Sequence, residues 1–486
     1  MSAFQKLFKQ TFIYGLATVL PRMLTFLLVP LYTTRGVLDS VADYGKVSIV
    51  FSWVIIFNVI LAYGMETAFF RFFNKEKDQD QVIGTSTISL IVTSLVFFFA
   101  AFYFKEQIAS TIGVEIEYIK IVLWILLLDA LVIIPFAWLR AKEKPMKYAL
   151  IKITNVVINM GLNLFFLLWL KNLAQGSKIF DSIYIPHFQI NYIFISILIA
   201  SAVTLLLMTP FYTKVKFKFS SSLWKQMLRY AFPVLIAGLA FSVNESFNRI
   251  MMDYLLPEDI AEEKIGMFAA CYKLALFMTL FATAYRLGIE PYFFSHSNSK
   301  EPQKNYAKIL EYFVIFGSVI LLTVVVFADL LKPIIIRSDE YWEAMWIVPL
   351  VLLAHFCLGI YHNLSVWYKI TDRTKFGAYI SVIGAIITLI LNFWLIPIMD
   401  YRGSAIALLA AYGTMMLLSY FFGKKYYPIP YNLKKIGIYL LLSIVFSVIS
   451  FYYFRENYLV GIPLLLLFIA VTYTLEKKEL KHLINN

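Results

Sequence analysis

The sequence predicts an all-α polytopic membrane protein of about fourteen transmembrane helices: two parallel-repeat six-helix bundles around a central cavity, plus two C-terminal helices. Three observations carry that expectation. The composition is extreme, because 60% of the 486 residues are hydrophobic and only 15% are charged, whereas soluble domains are about half apolar and a quarter charged. The apolar residues come in blocks near the ~20 residues that a helix needs to cross hydrocarbon. The two halves of the chain also resemble each other. Short alternating segments, the mark of a transmembrane β-barrel, are not found.

The apolar segments run over 11–33, 44–72, 83–104, 118–140, 147–170, 190–212, 226–254, 265–294, 305–331, 343–368, 375–397, 403–422, 434–454 and 458–475. An even number puts both termini on one side. With the N-terminus in the cytoplasm, 27 of the 43 Lys and Arg fall in cytoplasmic loops and ends. Eleven fall outside, and Arg22, Lys152, Arg249, Lys273 and Arg286 lie within segments. That asymmetry in short loops is the positive-inside pattern, so both termini are expected in the cytoplasm. The first segment is too long for a cleaved signal, holds Arg22 and lacks a small-residue cleavage site.

The repeat reads as follows. "INMGLNLFFLLWL" from Ile158 matches "ITLILNFWLIPIM" from Ile387, with Asn163 opposite Asn392. "ETAFFRFFN" from Glu66 matches "EPYFFSHSN" from Glu290, and "DYGKVS" around Gly45 matches "KIGMFA" around Gly266. Six helices per copy is an even number, so both copies insert in the same orientation, with a substrate site expected between them. The expected parts are a first bundle over 1–212, a basic cytoplasmic linker over 213–226, a second bundle over 227–422, and two additional helices with a tail over 423–486.

The net charge of +13 belongs to membrane topology and not to nucleic acid, since the basic residues sit in loops between apolar segments. Cys271 and Cys357 fall inside segments, and the five histidines show no zinc spacing, so no metal or cofactor is expected. Every loop is short, which leaves no room for a soluble domain. No phosphate-binding G-x-x-x-x-G-K-[ST] occurs, so the chain carries no ATPase of its own. The linker "TKVKFKFSSSLWKQ" alternates Lys214, Lys216 and Lys218 with Val215, Phe217 and Phe219. It reads as a loop lying on anionic phospholipids of the inner leaflet, or as a site of regulation or partner docking.

Two stretches resemble a known family. "LLVPLYTTRGVLDSVADYGKVSI" (27–49) is similar to the first helix, outer loop and second helix of the polysaccharide biosynthesis family of flippases. "LNFWLIPIMDYRGSAIALLAAY" (391–412) resembles that family's eleventh-to-twelfth helix turn, with Asn392, Pro397, Gly403 and Ala405-Ile406-Ala407 in order. The family belongs to the multidrug/oligosaccharidyl-lipid/polysaccharide exporter superfamily. The resemblance implies alternating-access movement of undecaprenyl-diphosphate-linked oligosaccharide from the inner to the outer leaflet of a bacterial cytoplasmic membrane. It also implies polysaccharide polymerase and glycosyltransferases as partners. Rivals on the same fold are a cation-coupled multidrug antiporter and a lipid II flippase. The antiporter is disfavoured because segment one carries Arg22 and no acid. A membrane polymerase or glycosyltransferase is the rival of a different class. It would need catalytic carboxylates or a substantial outer loop, and the outer loop with the most acids, "PEDIAEEK" (257–264), is short and reads better as a solvated hairpin.

Buried charges are the candidate site residues, because a charge at the bilayer centre costs roughly 2.5–3.5 kcal/mol and must face protein or water. Glu245 and Arg249 stand four apart on one helical face. They form either a neutralised structural pair or an arginine that lines the cavity with Glu245 orienting it. Lys273 has no acid three or four residues away on its helix, and Arg22 follows Pro21 in segment one. Arg22, Arg249 and Lys273 are the expected cationic ligands of a diphosphate, since guanidinium and ammonium groups bind phosphate oxygens by charge-assisted hydrogen bonds. Asn244 and Asn248 beside them suit sugar hydroxyls or helix packing. Asp129, alone in "LLLDALVI", is a candidate proton or sodium site or a packed acid. Glu66 with Arg71, and Glu290 with Arg286, are expected gate or capping pairs. His355 and His362 share a helix face and read as packing or polar contacts, or as titrating groups.

Overall fold

The computed structural model describes residues 15, 17, 19–21, 23–295 and 302–484, the side chains of 290–295 and 478–484 excepted. Among the described residues it is helical throughout, with thirteen helices long and apolar enough to cross a membrane and one shorter apolar helix before them. In chain order these are α1 (Val19–Tyr32), α2 (Val41–Lys75), α3 (Gln79–Tyr103), α4 (Ile116–Ala141), α5 (Pro145–Ala174), α6 (Gln189–Tyr212) and α7 (Ser221–Leu255). They continue as α8 (Glu258–Ile289), α9 (Pro302–Val326), α10 (Asp339–Ile370), α11 (Lys375–Met399), α12 (Tyr401–Tyr426), α13 (Leu433–Tyr453) and α14 (Tyr458–Lys477). Each falls on one of the apolar segments of the sequence, because helix is the one way such a segment satisfies its backbone away from water.

Two compact units result, Met1–Gly266 and Met267–Asn486. In the first, α2 is two helices in line. Val41–Ala62 starts with a capping box, Ser40 accepting from the Asp43 N–H and Asp43 from the Ser40 N–H. It ends at Tyr63 and Gly64, both left-handed, with φ of 31° and 73°. Glycine adopts that conformation without strain, and no side chain at position 64 would clear the Ala231 carbonyl of α7. Met65–Lys75 then resumes and buries Met65, Ala68, Phe69, Phe72 and Phe73 in a core with α3 and α7. Elsewhere in this unit α4 packs on α3 and α6, and α5 packs on α6.

At its other end α2 crosses the start of α8 at a glycine pair. A Cβ on Gly45 would overlap the Glu262 carbonyl, and one on Gly266 would overlap the Val41 carbonyl. Lys46 lies 3.5 Å from Glu262 at the same crossing. These are the two glycines that the internal repeat aligns. The repeat is also visible in chemistry. Asn163 accepts from the Tyr32 hydroxyl at 2.8 Å and donates to the carbonyl four residues back. Asn392 accepts from Ser404 at 2.7 Å and likewise donates to its own i−4 carbonyl.

The linker before α7 does not hang free. Lys216 bonds Asp80 at 2.7 Å and Lys218 approaches Asp78 at 3.7 Å. The Thr85 hydroxyl donates to the Lys218 carbonyl and accepts from the Ser220 N–H. The alternation seen in the sequence thus turns two lysines toward acids at the start of α3, while Phe217 and Phe219 stay exposed.

In the second unit α10 and α12 form the packed centre, α11 lies on α12, and α9 carries α13 and α14. Two ion clusters fasten those last helices. Lys435 of α13 pairs with Glu311 of α9 and, at 2.7 Å, with Glu476 of α14, to which the Tyr439 hydroxyl also donates. Between the helix ends, Arg455 forks onto both oxygens of Asp329 at 3.0 and 2.9 Å, and Lys332 bridges Asp329 at 2.6 Å to Glu456 at 2.9 Å.

Candidate functional site

In the first unit the last turns of α7 are polar and enclosed. Ser242, Asn244, Ser246, Asn248 and Arg249 are all buried, Arg249 with 8% exposure. Asn244, Glu245 and Arg249 each have an interacting group. The expected cavity-lining arginine is therefore enclosed in this conformation, because α7 runs into the protein interior over 242–253 with no exposed position. Among the described residues, the Ser246 hydroxyl and the Asn248 amide nitrogen are buried without a hydrogen-bond partner, an arrangement folded proteins keep rare because each such group costs about 1–3 kcal/mol.

Lys273, in the second unit, sits at a break. α8 tightens to a 3-10 turn over Lys273–Ala275 before resuming, and a mid-helix stretch of this kind marks a hinge or a strained site. Lys273 is half-buried and has an interacting group. Nearby on the same helix, Tyr272 meets His355 Nε2 at 3.1 Å while His355 Nδ1 lies 2.9 Å from the Val351 carbonyl. His355 is thus a packed histidine.

The expected Glu66–Arg71 pair is replaced by other contacts. Glu66 pairs with Arg140 of α4 at 2.5 Å, and Arg71 lies over the Tyr230 ring, 4.3 Å from its centroid. The reason is geometric. Positions five apart on a helix diverge by about 140°, so Glu66 and Arg71 look in different directions. Arg286 is half-buried on α8. Its expected partner Glu290 has its side chain outside the described residues, and Arg22 lies outside them altogether.

Asp129 is the polar junction of four helices. It accepts from the Ser201 hydroxyl of α6 at 2.8 Å, and the Asn58 side chain of α2 lies beside it. Lys152 of α5 lies within electrostatic reach.

Lys152 lies in an apolar segment outside the expected site residues, and α5 proves unusual. Lys152 is half-buried, its ammonium 4.2 Å from the Phe136 ring centroid. Among the described residues it forms no ion pair. On the same helix Asn155 donates to Thr204 at 2.9 Å, and Asn163 donates to Asn159 Oδ1 at 2.9 Å. The signal was available in the sequence: residues 152, 155, 159 and 163 recur at helical spacing.

Comparison with known proteins now decides the family, since residues 7–297 match the polysaccharide biosynthesis protein family. The chain belongs to that family. None of the curated proteins matches the sequence. Among solved structures, the lipid II flippase MurJ in an inward closed conformation is similar with a TM-score of 0.73 at 16% identity, over 95% of this chain and 99% of that one. An inward-facing multidrug resistance MATE transporter of the MOP superfamily is similar with a TM-score of 0.64 at 12% identity, over 86% of this chain and 95% of that one. A MOP superfamily transporter from Pyrococcus furiosus, described with a binding pocket of reversed polarity, gives 0.62 at 13% identity, over 89% and 96%. At these identities the likeness shows the shared fold. The family's member here is accordingly a multi-pass membrane protein with the fold of flippases and transporters.

Proposed function

We propose that the protein carries undecaprenyl-diphosphate-linked oligosaccharide from the inner to the outer leaflet of a bacterial cytoplasmic membrane by alternating access, for surface polysaccharide synthesis. The observation that carries this reading is the match to the polysaccharide biosynthesis family in a chain that keeps Lys152, Arg249 and Lys273 within apolar helices. Intramembrane cations are costly and suit an anionic headgroup. The basic loops face the cytoplasm in this reading. Because the interior of the cell is negative, moving a lipid diphosphate outward gains roughly 2.3 kcal/mol per charge per 100 mV. Polymerase and glycosyltransferases consume and supply the substrate. Asp129 is the acid at which a proton or sodium ion couples, if transport is coupled.

A second reading is lipid II flipping, favoured by the extent of the match to MurJ, which spans nearly all of both chains. One experiment separates the two. Cells lacking the gene are expected to accumulate an oligosaccharide-bearing diphosphate lipid protected from an impermeant lectin or glycosidase, while lipid II exposure stays normal. Unchanged lipid-linked sugars together with accumulated lipid II would favour the second reading. No change in either lipid sinks both.

A further inference from the structure

Helix α5 has two opposite faces. Met146, Leu150 and Val157 are more than half exposed, at 65%, 63% and 51%, as a surface against hydrocarbon is. Lys152, Asn155, Asn159 and Asn163 lie within about 45° of one direction on the helix, roughly 150° from those apolar residues. The polar face therefore turns away from the hydrocarbon. Yet it is not sealed, because Lys152, Asn155 and Asn159 are half-buried, neither exposed nor enclosed. Polar groups within a membrane face either the bundle interior or a water-filled space, and the partial access of these three residues points to the second.

The atoms along this face are only half used. Asn155 is engaged at its amide nitrogen by Thr204, and Asn159 at its oxygen by Asn163. Among the described residues, Asn155 Oδ1 and Asn159 Nδ2 have no partner. Lys152 has a ring beneath it, Asp129 within electrostatic reach and, among the described residues, no ion pair. From the basic-loop end inward, α5 thus offers a cation, then an acceptor, then a donor, in successive turns about 5 Å apart. The far end is closed, since Asn163 is fully buried and bonded to Tyr32.

We propose that this face of α5 is a recognition track for the substrate headgroup, with Lys152 binding the diphosphate and Asn155 and Asn159 binding hydroxyls of the sugar next to it. The inference rests on the flippase reading and adds to it which wall of the protein reads the cargo. An ammonium over an aromatic ring is held in place while its N–H donors stay available to a phosphate oxygen. A sugar presents neighbouring hydroxyls, each both donor and acceptor, which match an acceptor and a donor on adjacent turns.

The test uses full-length protein in phosphatidylcholine nanodiscs and two probes, undecaprenyl diphosphate and the same lipid carrying one N-acetylglucosamine. Lys152→Gln is expected to weaken both about 10- to 100-fold, the value of a charge-assisted hydrogen bond. Asn159→Leu is expected to leave undecaprenyl diphosphate unchanged and to weaken the sugar-bearing lipid about fivefold. Lys152→Arg, which keeps the charge, retains most of the affinity. Equal weakening of both probes by Asn159→Leu, or no effect of Lys152→Gln on a wild type that binds, overturns the track. So does equal displacement by phosphatidylglycerol, which would make Lys152 a contact for any anionic lipid. A wild type that binds neither probe instead removes the flippase reading itself.

Discussion

Replacing Gly45 or Gly266 by alanine is expected to lower thermal stability sharply, by roughly 2–3 kcal/mol each, the cost of overpacking a close contact. In each case the new methyl would meet a main-chain carbonyl, of Glu262 or of Val41. A side chain can rotate away from such an intrusion, but a carbonyl within a helix moves only if the helix moves. The crossing of α2 and α8 must then separate, which also pulls Lys46 from Glu262. Gly161→Ala is the control, since nothing lies within 4 Å of a Cβ at that position. Thermal unfolding of the purified protein followed by size-exclusion monitoring reads the difference. Equal stability of Gly45→Ala, Gly266→Ala and Gly161→Ala would show that the crossing is looser than the structure has it. In cells, the two crossing variants should accumulate the same lipid-linked sugar as the deletion.

Asp329→Asn is expected to be the most damaging single change in the second unit outside its membrane-length helices, at roughly 3 kcal/mol. It leaves Arg455 and Lys332 facing a neutral amide in a largely buried site, and breaking such a pair from one side is costly. Burial alone would push the Asp329 carboxyl up, but the hydrogen bonds and charges of Arg455 and Lys332 prevail and hold it below the ordinary carboxylate range. The sign of the pH dependence follows. A carboxylate with a depressed folded value contributes its full stability above the unfolded value near ~3.9, and loses it as pH falls through the folded one. Wild-type protein should therefore lose stability as pH is lowered from about 5 into the range below ~3.9, with a share of that loss missing in Asp329→Asn. Identical pH profiles for the two proteins would mean the cluster does not fasten α13 and α14 to the rest of the unit. Arg455→Lys should fall between, since an ammonium cannot fork onto both carboxylate oxygens.

Much of the fold was legible in the amino-acid order. Helix-length apolar blocks fixed the spans, because an unpaired backbone is not tolerated in hydrocarbon. The repeat was legible through Asn163 and Asn392, which turn out to bond in the same way, each holding a hydroxyl of another helix and its own i−4 carbonyl. Gly45 and Gly266 were aligned by the repeat, although nothing local announced that they would meet. The aspartate and the asparagines of the candidate site were visible as residue types, and their partners were not.

Those partners are a tertiary matter. Glu66 could be read locally only against Arg71, five residues on, and its true partner Arg140 lies 74 residues away. Arg249 was legible as an intramembrane charge, but whether it lines open space or is enclosed depends on what packs around α7. Lys152 shows the same division from the other direction. Its helical register with Asn155 and Asn159 is written in the sequence, whereas the lack of an ion pair among the described residues is known only once the neighbouring helices are in place. Periodicity determines which face a residue occupies, since it follows from the backbone's own geometry. Which charge answers it is decided by chain segments brought close only through packing, and no local spacing encodes that.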